Sequence, residues 1–141
     1  MTRVDFHSQV SDKIRYTCRL IRKARAANCQ IFVLSQDEVQ AQTLDQALWH
    51  FSTTDFLPHV MLDDALAAQT PILISANPTA LSPHKDLLIN LSQTVPEQYQ
   101  SFLRVIEIVS SEEQDANAGR QRFRLYQQQG IKPSHIVANA S

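Results

Sequence analysis

The residues that could do chemistry in this chain are few and scattered. His59 stands near Asp55, Asp63 and Asp64, a combination that could serve a hydrolytic or metal site. A surface histidine among surface aspartates is the commoner arrangement. The other histidines, His7, His50, His84 and His135, fall at no metal-ligand spacing, and no His-x-x-x-His occurs. No Gly-x-Ser-x-Gly nucleophile elbow is present. Asp63-Asp64 and Glu112-Glu113 are adjacent pairs, and neighbours on a helix do not face each other, so Glu112-Glu113 reads as a helix-start feature. There are two glycines, Gly119 and Gly130. A phosphate loop needs several, because the backbone must approach the anion closely, so no dinucleotide or Walker-type loop can be written.

Three other groups suit binding better than catalysis. Lys13, Arg15, Arg19, Arg22, Lys23 and Arg25 are six of the 13 basic residues and share one segment. They could meet nucleic acid or a partner, but Tyr16 is the only aromatic among them, poor material for base stacking, and a solvated face is the simpler reading. Near the C-terminus a helical wheel puts Ala118, Leu125 and Tyr126 on a core-facing side. It puts Ala116, Arg120, Phe123 and Arg124 opposite, which aims an aromatic ring at solvent between two arginines. Such a group suits a peptide that presents an apolar side chain and a carboxylate together. Finally, Trp49, the only tryptophan, is followed closely by Phe51 and Phe56. That cluster is either a small secondary core or a protein-binding hot spot.

The elements that must position these groups follow from periodicity. Val4–His7, Ile31–Leu34, Pro71–Ser75, Asp86–Leu91 and Val105–Val109 read as strands, most of them apolar enough to be covered on both faces. Helices fit between them. Ser11 is expected to cap the first, which buries Ile14, Thr17, Cys18, Ile21 and Ala24 and ends at Asn28. Ser35 with Glu38 matches a capping box for the second, running to about Trp49. Residues 51–70 show no clear period and contain Pro58. A short helix fits Glu97–Leu103. Ser110 or Ser111 is expected to cap the last helix and Gly130 to end it, with a loose tail after it. Strands alternating with helices predict an α/β, Rossmann-like three-layer domain, a mainly parallel sheet with helices on both faces and no nucleotide-binding loop.

Composition agrees. A chain of 141 residues with 43% hydrophobic content fits one domain, residues 1–141, with a real core. A net charge of -1 excludes a global electrostatic footprint for DNA or an anionic membrane. No run approaches the ~18 apolar residues of a membrane span, and the first residues lack a signal peptide's apolar stretch. Cys18 and Cys29 read as reduced thiols. The expected location is cytoplasmic.

One combination is more specific. Leu44-Asp45-Gln46-Ala47-Leu48-Trp49, followed by Phe56-Leu57-Pro58-His59, resembles the signature of the chi subunit family of bacterial DNA polymerase III. Phe6, the basic helix, Asp86–Leu91, Phe102–Val109 and Arg120-x-Arg122-Phe123-Arg124-x-Tyr126 before Gly130 match in order, so the resemblance spans nearly the whole chain. It implies a non-catalytic, cofactor-free adaptor of the clamp loader that binds the psi subunit and the acidic tail of single-stranded-DNA-binding protein, which ends in Pro-Phe. Trp49 and Phe56 then belong to the psi-binding surface, for which a helicase-like protein competes. Val109, Arg120, Phe123 and Arg124 belong to the tail-binding surface. Ala116 departs from the pattern, which often has lysine there. Phe123 and Arg124 replace a common tyrosine and lysine but keep a ring and a charge. Two rivals stand beside this reading: a small hydrolase or transferase using His59 with Asp63 or Asp64, and a nucleic-acid binder using the first helix.

Overall fold

The structure, a computed structural model, describes residues 1–51 and 56–138. In chain order the regular elements are β1 (Arg3–Val10), α1 (Lys13–Ala26), β2 (Ile31–Leu34), α2 (Glu38–Phe51), β3 (His59–Met61), β4 (Ile72–Ser75), β5 (Leu87–Asn90), β6 (Arg104–Ser110), α3 (Glu113–Gln128) and β7 (Ser134–Val137). The strands form one sheet in the order β3-β4-β2-β5-β6-β1-β7, and every pairing is parallel. The expected Rossmann-like three-layer architecture is what forms.

The two faces of the sheet sort the side chains by a period of two. Ile31, Val33, Ile72, Ile74, Ile89, Ile106 and Ile108 point to one side and pack under Cys18 and Ile21 of α1 and Ala41, Leu44 and Leu48 of α2. Phe6, Phe32, Leu73, Leu88, Val105 and Val109 point to the other and meet Tyr126 of α3 and the loop residues Tyr99 and Phe102. Burial on both faces explains why the central strands read as unbroken apolar runs.

Several local expectations are corrected. Asp12, not Ser11, caps α1: its carboxylate accepts from the Arg15 N–H at 3.1 Å. Ser35 is not the cap of α2. Asp37 Oδ1 accepts from the Gln40 N–H at 2.8 Å, Gln40 Oε1 reaches back to the Gln36 N–H, and the Ser35 hydroxyl donates to the carbonyls of Asp37 and Ser75. Ile14 and Ala24 are only partly buried. The expected helix at 97–103 is a single 3-10 turn, Tyr99–Ser101. Residues 51–70 contain the strand β3, too short to show a period, and a 3-10 turn at Ala67–Gln69. The tail contains β7, which adds to the exposed edge of β1. Its residues are all exposed, so it carries no apolar alternation for a sequence reading to find. Gly130 ends α3 as expected, at φ +84°, where only glycine sits without strain.

No helix among the described residues is long and apolar enough to cross a membrane.

Candidate protein-binding surfaces

Parallel strands all present their carboxyl ends at one rim of the sheet, and α3 starts there, just after β6, and runs back over the face that carries Phe6 and Val109. A cleft of about 590 Å³ opens there. Val109 forms its apolar floor with Phe6 of β1, and α3 supplies Ala116, Gly119, Arg120 and Phe123 along one wall. The other wall is polar: Ser8 and Gln9 of β1, and His135 of β7. The His135 Nε2 lies 2.5 Å from the Ser8 hydroxyl. Gln9 adopts a positive φ of 56° where the register of β1 against β6 shifts, a local irregularity at the edge of the cleft.

Two close fits shape the floor. At Gly119 an added Cβ would lie 2.8 and 2.9 Å from the two Val109 methyl groups, so glycine lets α3 approach the sheet. The Phe123 ring is half-buried and leans on Phe6, with centroids 5.1 Å apart. The ring is thus a wall of the cleft rather than a free projection, because α3 buries a different face from the one the wheel selects. Asp115, Gly119, Arg122 and Tyr126 face the sheet, while Leu125 is 45% exposed. A count of apolar residues misplaces this face because two of its members are charged.

Those charged members are paired with groups on and beside the sheet, although the buried Nη2 of Arg122 has no hydrogen-bond partner among the described residues. Arg122 and Glu107, both essentially without solvent contact, pair at 2.8 Å, and the Tyr126 hydroxyl donates to the other Glu107 oxygen at 2.7 Å. Asn90 donates to the same carboxylate. The burial of Tyr126 and its contact with Glu107 push its hydroxyl well above the usual phenol range. Asp115 binds the Ser110 N–H at 2.7 Å, the Gln93 amide and the Lys13 ammonium. Burial pushes Asp115 up, but those bonds outweigh it and hold it below the usual carboxylate range. Burial draws Lys13 down despite Asp115, so the Ser110 and Gln93 donors, more than the ammonium, keep Asp115 charged. At the far edge, Asp5 is buried beneath Arg104, Arg3 and the Ser134 hydroxyl. Burial raises it, and the three partners together lower it. This clamp fastens β7 one residue before His135.

Of the four residues assigned to tail binding, Val109, Arg120 and Phe123 line one cleft; Arg124 is exposed and outside its lining. Among the described lining residues Arg120 alone has a permanent charge, and its guanidinium also bonds the Asn117 side chain. Ser8, Gln9 and His135 are functional candidates that the sequence does not reveal. Apolar periodicity ends β1 at His7 and gives no sign of β7, so nothing places these residues near α3.

The second surface lies at the opposite end of the sheet, where α2 leads toward β3. Trp49 is 52% exposed and Phe56 75%, with ring centroids 6.4 Å apart. Phe51 is half-buried against the core under α1 and α2, with the Arg22 guanidinium 4.9 Å over its ring. The aromatic cluster is therefore divided: Phe51 packs inward, while Trp49 and Phe56 stand outside.

The residues of the enzymatic rival do not assemble. His59 is buried, with Nδ1 2.8 Å from the Leu57 carbonyl and Nε2 3.1 Å from Asp45 Oδ1. No hydrogen bond or ion pair joins it to Asp63 or Asp64 among the described residues. Asp63 lines a separate hollow near Glu38 and Asn77, and Asp64 caps the Leu66 N–H. Asp55 lies outside the described residues. No group of three potential metal-ligating side chains occurs among the described residues. The basic face of α1 is partly tied down, Arg25 to the Cys29 carbonyl and Lys13 to Asp115. Burial lifts the Cys18 thiol to about 11, which leaves it unreactive.

The chain is similar to several known proteins. The DNA polymerase III subunit chi of Pseudomonas aeruginosa is 35% identical over 134 residues, covering 92% of each chain. The chi subunits of Haemophilus influenzae and Escherichia coli are 29% and 26% identical, over 80% and 92% of this chain and 78% and 86% of their own. Among solved structures, the RNA helicase Prp28 from Chaetomium thermophilum bound to ADP superposes with a TM-score of 0.68 at 14% identity, over 94% of this chain; this chain spans 38% of that helicase's length, and the likeness is one of fold alone. The family model described as DNA polymerase III chi subunit, HolC, matches residues 1–134, and the chain belongs to that family.

Proposed function

We propose that this chain is a non-catalytic, cytoplasmic adaptor that ties the clamp loader to single strands coated with single-stranded-DNA-binding protein. Membership of the chi family makes it an accessory subunit in replication. Beyond that, the reading rests on one observation: an apolar floor, a half-buried ring and one cation meet in the cleft of Val109, Phe123 and Arg120. The terminal phenylalanine of the tail packs on Phe123 and Val109, and its carboxylate meets Arg120. Arg124, outside the cleft, meets acidic residues further upstream. So few anchors give micromolar affinity that weakens with salt, and several tails per oligomer compensate through multivalency. Trp49 and Phe56 bind the psi subunit, and a helicase-like protein competes for them. No bond is made or broken.

The test is a titration with a labelled, Asp-rich peptide ending in Pro-Phe, with and without the last residue. The full peptide binds, the truncated one does not, and Arg120→Glu abolishes binding while psi affinity stays intact. Trp49→Ala does the reverse. If Arg120→Glu weakens both partners alike, or neither, the division of surfaces is wrong.

A further inference from the structure

Trp49 and Phe56 are large, exposed rings, and a side chain that is free before binding loses that freedom on binding. Yet Trp49 is not free. Its ring rests on the imidazole of His59, with centroids 4.5 Å apart and planes at 48°. His59 itself cannot shift easily. Its side chain is wholly buried, Nδ1 lies 2.8 Å from the Leu57 carbonyl, and Nε2 lies 3.1 Å from both the carbonyl and the Oδ1 of Asp45.

The positions of these partners matter. Asp45 is one turn before Trp49 on α2, so the imidazole grips the turn from which the indole projects. Leu57 directly follows Phe56, so the other ring nitrogen lies against the backbone beside the second ring; both neighbours are acceptors, and the tautomer sets which of them receives the N–H. A leucine or phenylalanine could fill this volume but could not hold either backbone. A histidine whose sequence neighbours suggest catalysis is placed instead as a bracket between the two exposed aromatics.

We propose that His59 is the positioning residue of the Trp49–Phe56 surface: it presets the two rings in the arrangement that the partner recognises. The proposal deepens the reading of that surface as the psi-binding site and rests on it. Preset rings bind more tightly because less side-chain freedom is lost on association.

Trp49 is the only tryptophan, so its intrinsic fluorescence reports the indole directly. The full chain carrying His59→Phe is compared with wild type by thermal melting, by acrylamide quenching and anisotropy of Trp49, and by affinity for the psi subunit. Quenching rises, anisotropy falls, and psi affinity drops roughly three- to tenfold, the cost of ordering one freed side chain. Affinity for the Pro-Phe peptide is unchanged. His59→Gln, which keeps a side-chain donor, recovers part of the loss. Should His59→Phe fail to fold, Asp45→Ala, which removes only the Oδ1 contact, shifts the same readouts in the same direction by about twofold. Unchanged quenching and unchanged psi affinity would overturn the proposal, as would an equal loss of peptide affinity. If Trp49→Ala binds psi like wild type, the surface assignment fails instead, and the quenching alone still decides whether His59 holds the indole.

Discussion

The α3 cleft and the Trp49–Phe56 pair are built in opposite ways. The cleft is concave, carries one cation, and is backed by a hydrogen-bonded polar layer of Glu107, Arg122, Tyr126 and Asp115. The pair projects from the surface, carries no charge of its own, and leans on a single buried histidine. A concave site with a cation suits the end of a flexible chain, where carboxylate and side chain arrive together. A projecting aromatic pair suits a partner that brings its own pocket. On the proposed reading, one domain would offer two partners surfaces of different character.

The largest blow to this contrast is Arg122→Ala. It leaves the buried Glu107 carboxylate without its cation, which costs on the order of 3–5 kcal/mol. Denaturant unfolding should show that loss. At temperatures where the variant remains folded, peptide affinity should fall while the fluorescence of Trp49 is unchanged. Equal disturbance of both surfaces would show that they are not independent.

Gly119→Ala is a finer probe. The new methyl meets the stiff Val109 side chain at 2.8 Å, and overpacking of this kind costs about 1–3 kcal/mol. It also pushes α3 outward from the floor, so peptide binding weakens more than stability alone predicts, and psi binding does not change.

Acid separates the two surfaces by another route. Asp5 and Asp115 both sit lower in the folded chain than their usual value of 3.8. Below about pH 4 the unfolded chain therefore takes up protons that the folded one refuses. Their contribution is complete above that pH and is lost as pH falls through the folded values. Thermal midpoints measured from about pH 6 to pH 3 should fall at the acid end, and Asp115→Asn should flatten the fall. Both carboxylates brace the cleft, one through Ser110 and one through Ser134, so the cleft end loosens first.

The smallest effect sharpens the comparison. Ala116→Lys adds a cation to the cleft wall and should strengthen peptide binding by about 0.5–1 kcal/mol at low salt, an increment that vanishes at high salt and never appears with psi.

What could be read in advance divides along the same line. The central strands are legible because burial on both faces leaves an unbroken apolar run. β3 and β7 are not: one has three residues and the other has no buried position. The cation and ring of the cleft are visible on α3 as Arg120 and Phe123, but Ser8, Gln9 and His135 are not, since strand pairing alone brings residue 135 beside residue 6. His59 stands out for its type and its neighbours in sequence; its contacts are instead Leu57, Asp45 and Trp49.

By itself, the order of residues determined the α/β alternation, the lack of a phosphate loop and the family, because apolar periodicity, glycine count and the Leu44–Trp49 and Phe56–His59 motifs are local properties. The tertiary structure decided which face of α3 is buried and what lies across from it. Arg122 and Asp115 can turn inward only because Glu107, Ser110, Gln93 and Lys13 wait there, and no local pattern reports whether a distant partner will be in place to satisfy a buried charge.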